Sequence, residues 1–413
     1  MNIGVFSFTG DAPFLETGVT TYNRVLLKAL CEFGSNNQYS VYFSKSNSKR
    51  YSDLNFPNLR KIDLEPDFFK TKMMKYGYLR PLGIIAFCFF INRSRFLSSV
   101  ISRLYGFHLP QENSIDLLIY TTYGFLPYLP LFVKFSAELP FIAVIHDIRR
   151  IIFSKRNIDT RVMCLYTKYL IQYSTLVIVP STFIKEKLIE YYKVPESKIR
   201  VLFSIPEVNF CIKESKASLD TVIEKYNLPS KFLFFPSTIL DTKNHLRLIK
   251  AIKALKEKGV LVNLILSGTV GDRHLFEKIK KQIFDLGLSK IVRYIGFISE
   301  EEKIAMFKLA TSLIMPTIGE SFSIPIWEAF YLGCPVTSSN LYDMPEQVKD
   351  AALSFDPFSI EDMADRIYEI WTDEDLRQEL IRKGCERVKG LTLENYAKHW
   401  ERIIEEALQR IRK

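Results

Sequence analysis

Residues 315–340 read MPTIGESFSIPIWEAFYLGCPVTSSN, and this stretch decides the fold. It opens on the end of an apolar strand and passes through a Gly/Ser loop at residues 319–323. A helix then begins around Pro325, a residue suited to a first helical turn because its missing N–H would have no partner there anyway. Trp327, Glu328, Ala329 and Phe330 carry the helix on, and Gly333 suits the left-handed position just past its end. The segment PVTSS resumes an extended run at once. A helix between two strands is a crossover connection, which joins parallel strands.

The same alternation extends outward in both directions. Apolar runs at residues 3–8, 40–43, 117–120, 141–145, 176–180, 232–235, 261–267, 291–294, 312–315 and 335–338 are strand candidates. Several are unbroken Val/Ile/Leu/Phe runs without polar alternation, as expected of strands buried on both faces of a parallel sheet. Helical periods fall between them, at residues 20–32, 182–192, 244–258 and 299–310. The fold class is therefore α/β with doubly wound parallel sheets. The runs form two sets. The first ends near residues 201–206, and residues 207–227 are more polar with no clear strand. This predicts one domain over 1–205 and a second over 206–391. The tail, residues 392–413, reads as a helix with Trp400, Ile403, Ile404, Leu408 and Ile411 at helical spacing.

Composition sets further bounds. Of 413 residues, 47% are hydrophobic and 25% charged, which excludes wholesale disorder and collagen-like repeats. The net charge of +10 is unevenly placed: residues 1–200 hold 26 Lys+Arg against 15 Asp+Glu, the remainder 30 against 31. An excess confined to one half points to a nucleic-acid or anionic-membrane surface there. Residues 70–110 concentrate it, with Lys70, Lys72, Lys75, Arg80, Arg93, Arg95 and Arg103 among aromatics and aliphatics and no acidic residue. Such a stretch reads either as a membrane-interface segment or as ordinary domain helices with a solvated basic edge. Its apolar run LGIIAFCFFI, at 82–91, is about half the length a bilayer core needs. The opening MNIGVFSF reads as a strand, not a signal peptide. Six cysteines without CxxC spacing read as free thiols of a reducing cytosol, not as a zinc site or disulfide scaffold.

Glu320 and Glu328 stand one in the loop and one in the helix of residues 315–340. A carboxylate accepts two hydrogen bonds from a diol such as ribose, and the amides of Ser321, Phe322 and Ser323 are donors for phosphate oxygens. Alone, two glutamates at this spacing read as ordinary surface residues. The surrounding sequence changes that weighing. This segment resembles the E-x7-E motif of the family 4 retaining glycosyltransferases, whose fold is GT-B. The resemblance runs on through residues 292–357, and also covers PSTFIKEKLIEYYKVPESKIRV, FPSTILDTKNHLRLIKAIKAL and TGVTTYNRVLLKAL. It skips residues 53–114.

The resemblance implies two Rossmann-like domains facing across a cleft, with the C-terminal helix crossing back to the first domain. It implies that Glu320 holds the donor sugar, Glu328 the nucleotide ribose, and the amides of Ser321, Phe322 and Ser323 the diphosphate. Lys243 matches the donor-phosphate lysine, His146 a histidine beside the donor sugar, and Gly18 the N-terminal glycine loop where backbone approaches ligand closely. One departure is Thr238, which stands where most relatives have an arginine five residues before the lysine. The implied activity is transfer of a sugar, with retention, from a nucleoside diphosphate sugar to a hydroxyl of a glycan or lipid-linked acceptor. Surface polysaccharide synthesis is the expected setting, with the protein in the cytoplasm or peripheral on the inner face of the membrane. No metal and no cofactor beyond the donor substrate is expected, and nucleic acid is not an expected partner. The triplet Asp373-Glu374-Asp375 reads as the acidic start of a helix rather than a DxD metal site. The competing class is a non-catalytic nucleotide-sugar-binding subunit or sensor. Thr238 favours it, and Glu320, Glu328, Lys243 and His146 weigh against it.

Overall fold

In the computed structural model two wholly parallel sheets carry the chain, each wound outward from a central pair of strands. Described are residues 1–7, 16–35, 37–43, 50–63, 115–121, 139–148, 158–206, 218–320 and 322–412. The 70–110 stretch and Ser321 lie outside them. The first sheet comprises β1 (Asn2–Phe6), β2 (Gln38–Phe43), β3 (Leu59–Asp63), β4 (Leu117–Tyr120), β5 (Phe141–Val144), β6 (Leu176–Val179) and β7 (Ile199–Val201). Its order is β3-β2-β1-β4-β5-β6-β7. The second comprises β8 (Leu233–Pro236), β9 (Leu264–Ser267), β10 (Val292–Tyr294), β11 (Ser312–Met315), β12 (Val336–Ser339) and β13 (Ala352–Phe355), in the order β10-β9-β8-β11-β12-β13. In each sheet the winding reverses direction once, between β1 and β4 and between β8 and β11. At such a switch point the loops leaving neighbouring strands diverge, and the crevice beyond the strand ends is where ligands bind in open α/β sheets.

The chain divides into one unit of Met1–Ser204 with Leu393–Lys413 and a second of Ile205–Thr392. In the first, every residue of LLIY, FIAV and LVIV is buried. The helix Leu393–Arg412 packs on the helix Glu16–Phe33. Its buried face is Tyr396, Ala397, Trp400, Ile403, Ile404 and Ala407. Ile411, which the spacing places on that face, is exposed. From β7, Arg200 grips the same helix by a two-pronged bond to Glu406, Nε to Oε2 at 2.9 Å and Nη2 to Oε1 at 2.5 Å.

The second unit builds its core on Phe232, Phe234, Phe235 and Trp327, all fully buried. Its helix Ile324–Tyr331 has Pro325 in the first turn, and Gly333 beyond its end holds φ +68°. Asp373 caps the helix Glu374–Val388, accepting the Leu376 amide at 2.9 Å, and Glu374 pairs with Arg377.

Three strands escape the hydrophobic reading. β3 is LRKID, an edge strand whose Arg60 and Lys61 are exposed; β7 is three residues long; β13 is ALSF, half-exposed at the far edge. Edge strands bury one side at most, so their sequences lack the continuous apolar signal of central ones.

Candidate active site

The switch point of the second sheet gathers the loops that leave β8 and β11. After β8 the chain runs through Ser237–Leu240, makes a single 3-10 turn at Asp241–Lys243, and enters the helix His245–Glu257. After β11 it runs from Pro316 to Glu320. Three bonds sew these loops together and a fourth ties them to Pro357, after β13. The Ile318 amide donates to the Thr242 carbonyl at 2.8 Å, and the Thr317 hydroxyl donates to the same oxygen at 3.1 Å. Asn244 donates its side-chain amide to Pro316 O at 3.0 Å and to Pro357 O at 2.8 Å. Asn244 is buried with φ +64°, a left-handed backbone that asparagine tolerates better than other side-chain-bearing residues. Gly319 is required by close approach: a Cβ there would stand 2.9 Å from Cβ and Cγ2 of Thr242.

This stitching brings two predicted site residues into contact. Lys243 Nζ lies 2.8 Å from Glu320 Oε2, with the two side chains only 17% and 18% exposed. An ammonium and a carboxylate, both mostly withdrawn from water, thus share one position at the carboxyl edge of the sheet. Next to Lys243, His245 is buried against Phe235, with ring centroids 4.7 Å apart. Burial, reinforced by the Lys243 charge, pushes its pKa down to about 3, so the ring is neutral near pH 7.

The neighbouring loop after β9 supports the same edge. The Ile239 amide donates to Thr269 O at 2.9 Å, and Thr238 Oγ1 lies 3.1 Å from Thr269 Oγ1. Thr238 therefore offers a hydroxyl already engaged by a neighbour, and no positive charge. Gly268 holds φ +134°, and a Cβ on it would come within 2.4 Å of Ser237 O.

On the helix Ile324–Tyr331, Glu328 is 5% exposed at its side chain and its Oε1 accepts from Lys303 Nζ at 2.9 Å. Phe322 packs beside Trp327, with centroids 5.7 Å apart. One expectation needs correction. The Ser323 amide, counted above among the diphosphate donors, is committed to Gln347 Oε1 at 3.0 Å, while Gln347 Nε2 donates back to Ser323 O at 2.6 Å. This buried clasp fixes the start of the helix, so in this structure the Ser323 N–H is not offered to a ligand. Sequence reasoning missed Gln347, Lys303, Asn244 and Gly319. Only Gly319, as a glycine in a loop, left a local signal.

In the first unit, His146 follows β5 beside the β1/β4 switch point. The ring is half-buried, lies edge-on to Tyr22 at 4.6 Å, and its Nε2 is 2.9 Å from Thr121 O. Donation to that carbonyl requires the proton on Nε2. Burial pushes its pKa down to about 4, against the opposing pull of the Thr121 bond, so it is neutral near pH 7. Gly18 lies in the helix Glu16–Phe33, which follows β1.

Two doubly wound parallel α/β units, one with a mostly buried lysine–carboxylate pair at its switch point, put that pair where open parallel sheets take ligands. The family described as "Glycosyl transferases group 1" matches residues 220–387, and "Glycosyltransferase Family 4" matches residues 63–203. The chain belongs to this glycosyltransferase group, and its fold is GT-B. It is 27% identical to the O-antigen chain mannosyltransferase B of Escherichia coli over 223 residues, 53% of this chain and 58% of that protein. To the serotype-specific mannosyltransferase WbdA of Escherichia coli it is 26% identical over 198 residues, 47% of this chain and 24% of that one. The match thus spans about half or less of these curated relatives. Among solved structures, Anabaena HepE in complex with UDP and glucose superposes with a TM-score of 0.70 at 15% identity, covering 98% of this chain and 99% of that one. Sucrose-phosphate synthase from Thermosynechococcus elongatus gives 0.71 at 18% identity, covering 98% of both. Among the described residues no helix is long and apolar enough to cross a membrane.

Proposed function

We propose that the protein is a retaining glycosyltransferase that moves a sugar from a nucleoside diphosphate sugar to a hydroxyl of a glycan or lipid-linked acceptor in surface polysaccharide synthesis. The observation that carries this reading is the Lys243–Glu320 pair, 2.8 Å apart at the carboxyl edge of the second sheet's switch point. Lys243 is assigned to the departing diphosphate, where a preorganised positive charge in a water-poor site stabilises developing negative charge at no reorganisation cost. The loop amides ahead of Ser323 share that task. Glu320 is assigned to the sugar hydroxyls and Glu328 to the ribose. His146, neutral and carrying its proton on Nε2, is assigned to the sugar near the reacting carbon.

In this reading catalysis is positioning plus electrostatic stabilisation. The leaving phosphate accepts the acceptor's proton, so no protein base and no metal is assigned. The names of the two Escherichia coli relatives favour a mannosyl donor. The test is sugar transfer with a panel of nucleoside diphosphate sugars, followed by Glu320→Ala and Lys243→Ala. Each variant is expected to lose at least about a hundredfold in kcat/KM, the range for removing one transition-state contact. Undiminished turnover in both refutes the site. Thr238 keeps the second reading, a nucleotide-sugar-binding subunit, in view: its signature is a donor that raises the melting temperature with no turnover on any acceptor.

A further inference from the structure

Lys303 is a costly residue in its setting. It sits in the helix Glu300–Leu309, followed at once by four buried residues, Ile304, Ala305, Met306 and Phe307. The start of this helix is fixed three times over. Ser299 and Glu302 form a reciprocal capping box, Glu302 pairs with Lys225, and Tyr226 donates its hydroxyl to the same carboxylate at 3.0 Å. That rigid start aims Lys303 across to the helix Ile324–Tyr331, where its Nζ meets Glu328 Oε1 at 2.9 Å; Glu300 Oε2 lies 2.7 Å from the same nitrogen. A pair that withdraws a carboxylate from water, Glu328 at 5% exposed beside Lys303 at 20%, is weak as a source of stability, since apolar side chains of similar volume commonly do as well. Packing alone therefore gives no reason for a lysine here. The carboxylate it holds does give one: a carboxylate recognises a diol only while ionised, accepting two O–H bonds.

We infer that Lys303 is a positioning residue that keeps Glu328 ionised and aimed, and so makes nucleotide binding by this unit insensitive to pH across the neutral range. This rests on the proposed role of Glu328 in holding the ribose. Burial works against the Lys303 charge, but the carboxylates of Glu328 and Glu300 outweigh it and hold the lysine above its ordinary pKa. The other elements packed on the Glu328 helix bring Arg387, whose guanidinium lies 5.6 Å from the Trp327 ring, and Cys385, whose thiol faces Phe330 O at 3.7 Å. Arg387 donates to Glu346 O and Gln347 O, so its charge is directed at backbone. Lys303 is in direct contact with the carboxylate, Nζ to Oε1 at 2.9 Å.

The experiment is titration of the full-length protein with UDP and with GDP from pH 6 to pH 8.5, taking the ratio of variant to wild-type Kd at each pH. The ratio cancels titration of the nucleotide's own phosphate. For Lys303→Met it is expected to grow by about tenfold for each pH unit below the pKa that a buried Glu328 takes without the lysine's charge, because only the ionised fraction binds. Lys303→Arg is expected to keep the ratio flat. The double variant Lys303→Met/Glu328→Gln, with neither charge of the Lys303–Glu328 pair left to titrate, is expected to bind weakly at every pH. Lys303→Gln, which keeps a donor without the charge, carries the same expectation if the methionine variant does not fold. A flat ratio in Lys303→Met, or in Lys303→Gln when it takes that variant's place, overturns the inference, as does pH dependence that persists in the double variant. Binding of neither nucleotide by the wild type overturns the nucleotide-site reading itself, and this inference with it.

Discussion

Asn244→Ala tests the stitching that holds the candidate site together. In the wild type its side-chain amide satisfies the carbonyls of Pro316 and Pro357 at 3.0 and 2.8 Å, in a buried setting and on a left-handed backbone. Alanine orphans both carbonyls, each costing about 1–3 kcal/mol if water does not reach it. It also keeps a Cβ in the left-handed region while removing the polar side chain that lets asparagine tolerate that backbone, for about 1 kcal/mol more. The expected loss is about 3–7 kcal/mol, a large part of the 5–15 kcal/mol that holds a typical domain folded. Asn244→Gly separates the two causes. It relieves the backbone strain but restores neither hydrogen bond, so it should recover about 1 kcal/mol and no more. The assay is urea denaturation followed by tryptophan fluorescence, since Trp327 and Trp371 both report on the second unit. A loss below about 1 kcal/mol for alanine would mean that the two carbonyls find water, and refutes the reasoning. Full recovery with glycine would show that the hydrogen bonds contribute nothing and that strain was the whole effect.

Three further outcomes are expected. His146 and His245 have folded-state pKa values of about 4 and about 3, below the ordinary 6.5, so the unfolded chain binds more protons between those limits. Their contribution to stability is therefore present above about pH 6.5 and lost as the pH falls towards 4; the denaturation midpoint should drop over that window, and His245→Leu should reduce the drop. Gly268→Ala, whose Cβ would stand 2.4 Å from Ser237 O, should cost about 1–3 kcal/mol in the same urea assay, and a neutral result would disprove the close approach. If residues 70–110 dock on a membrane, co-sedimentation should favour anionic over neutral vesicles and weaken with salt, because seven cations with no acidic neighbour are attracted to a negative surface; equal partition on both vesicle types rejects the idea.

Much of the fold is legible along the chain because its signals are local. Continuous runs such as LLIY, FIAV and LVIV are buried on both faces and announce parallel strands without reference to anything distant. Pro325 and Gly333 mark a helix by the backbone angles they permit. The edge strands are less visible, since LRKID and ALSF owe their extended form to a neighbour's hydrogen bonds and not to their own side chains. The same distinction divides the C-terminal helix. Its spacing correctly marks Trp400, Ile403 and Ile404 as buried, but Ile411 is exposed, where periodicity alone cannot tell.

The candidate site divides in the same way. By itself the sequence determined which chemistries were present: an ammonium at 243, carboxylates at 320 and 328, a histidine at 146, and threonine in place of a cation at 238. Tertiary structure alone decided which of them meet. Lys243 and Glu320 are far apart in the chain and touch because Asn244, Thr242 and Gly319 pin two loops together. Gln347 takes the Ser323 amide from across the unit, and Lys303 reaches Glu328 from another helix. Residue type fixes what a group can donate, accept or ionise, whereas its partner is set by long-range closure of the chain, which leaves no mark on local sequence.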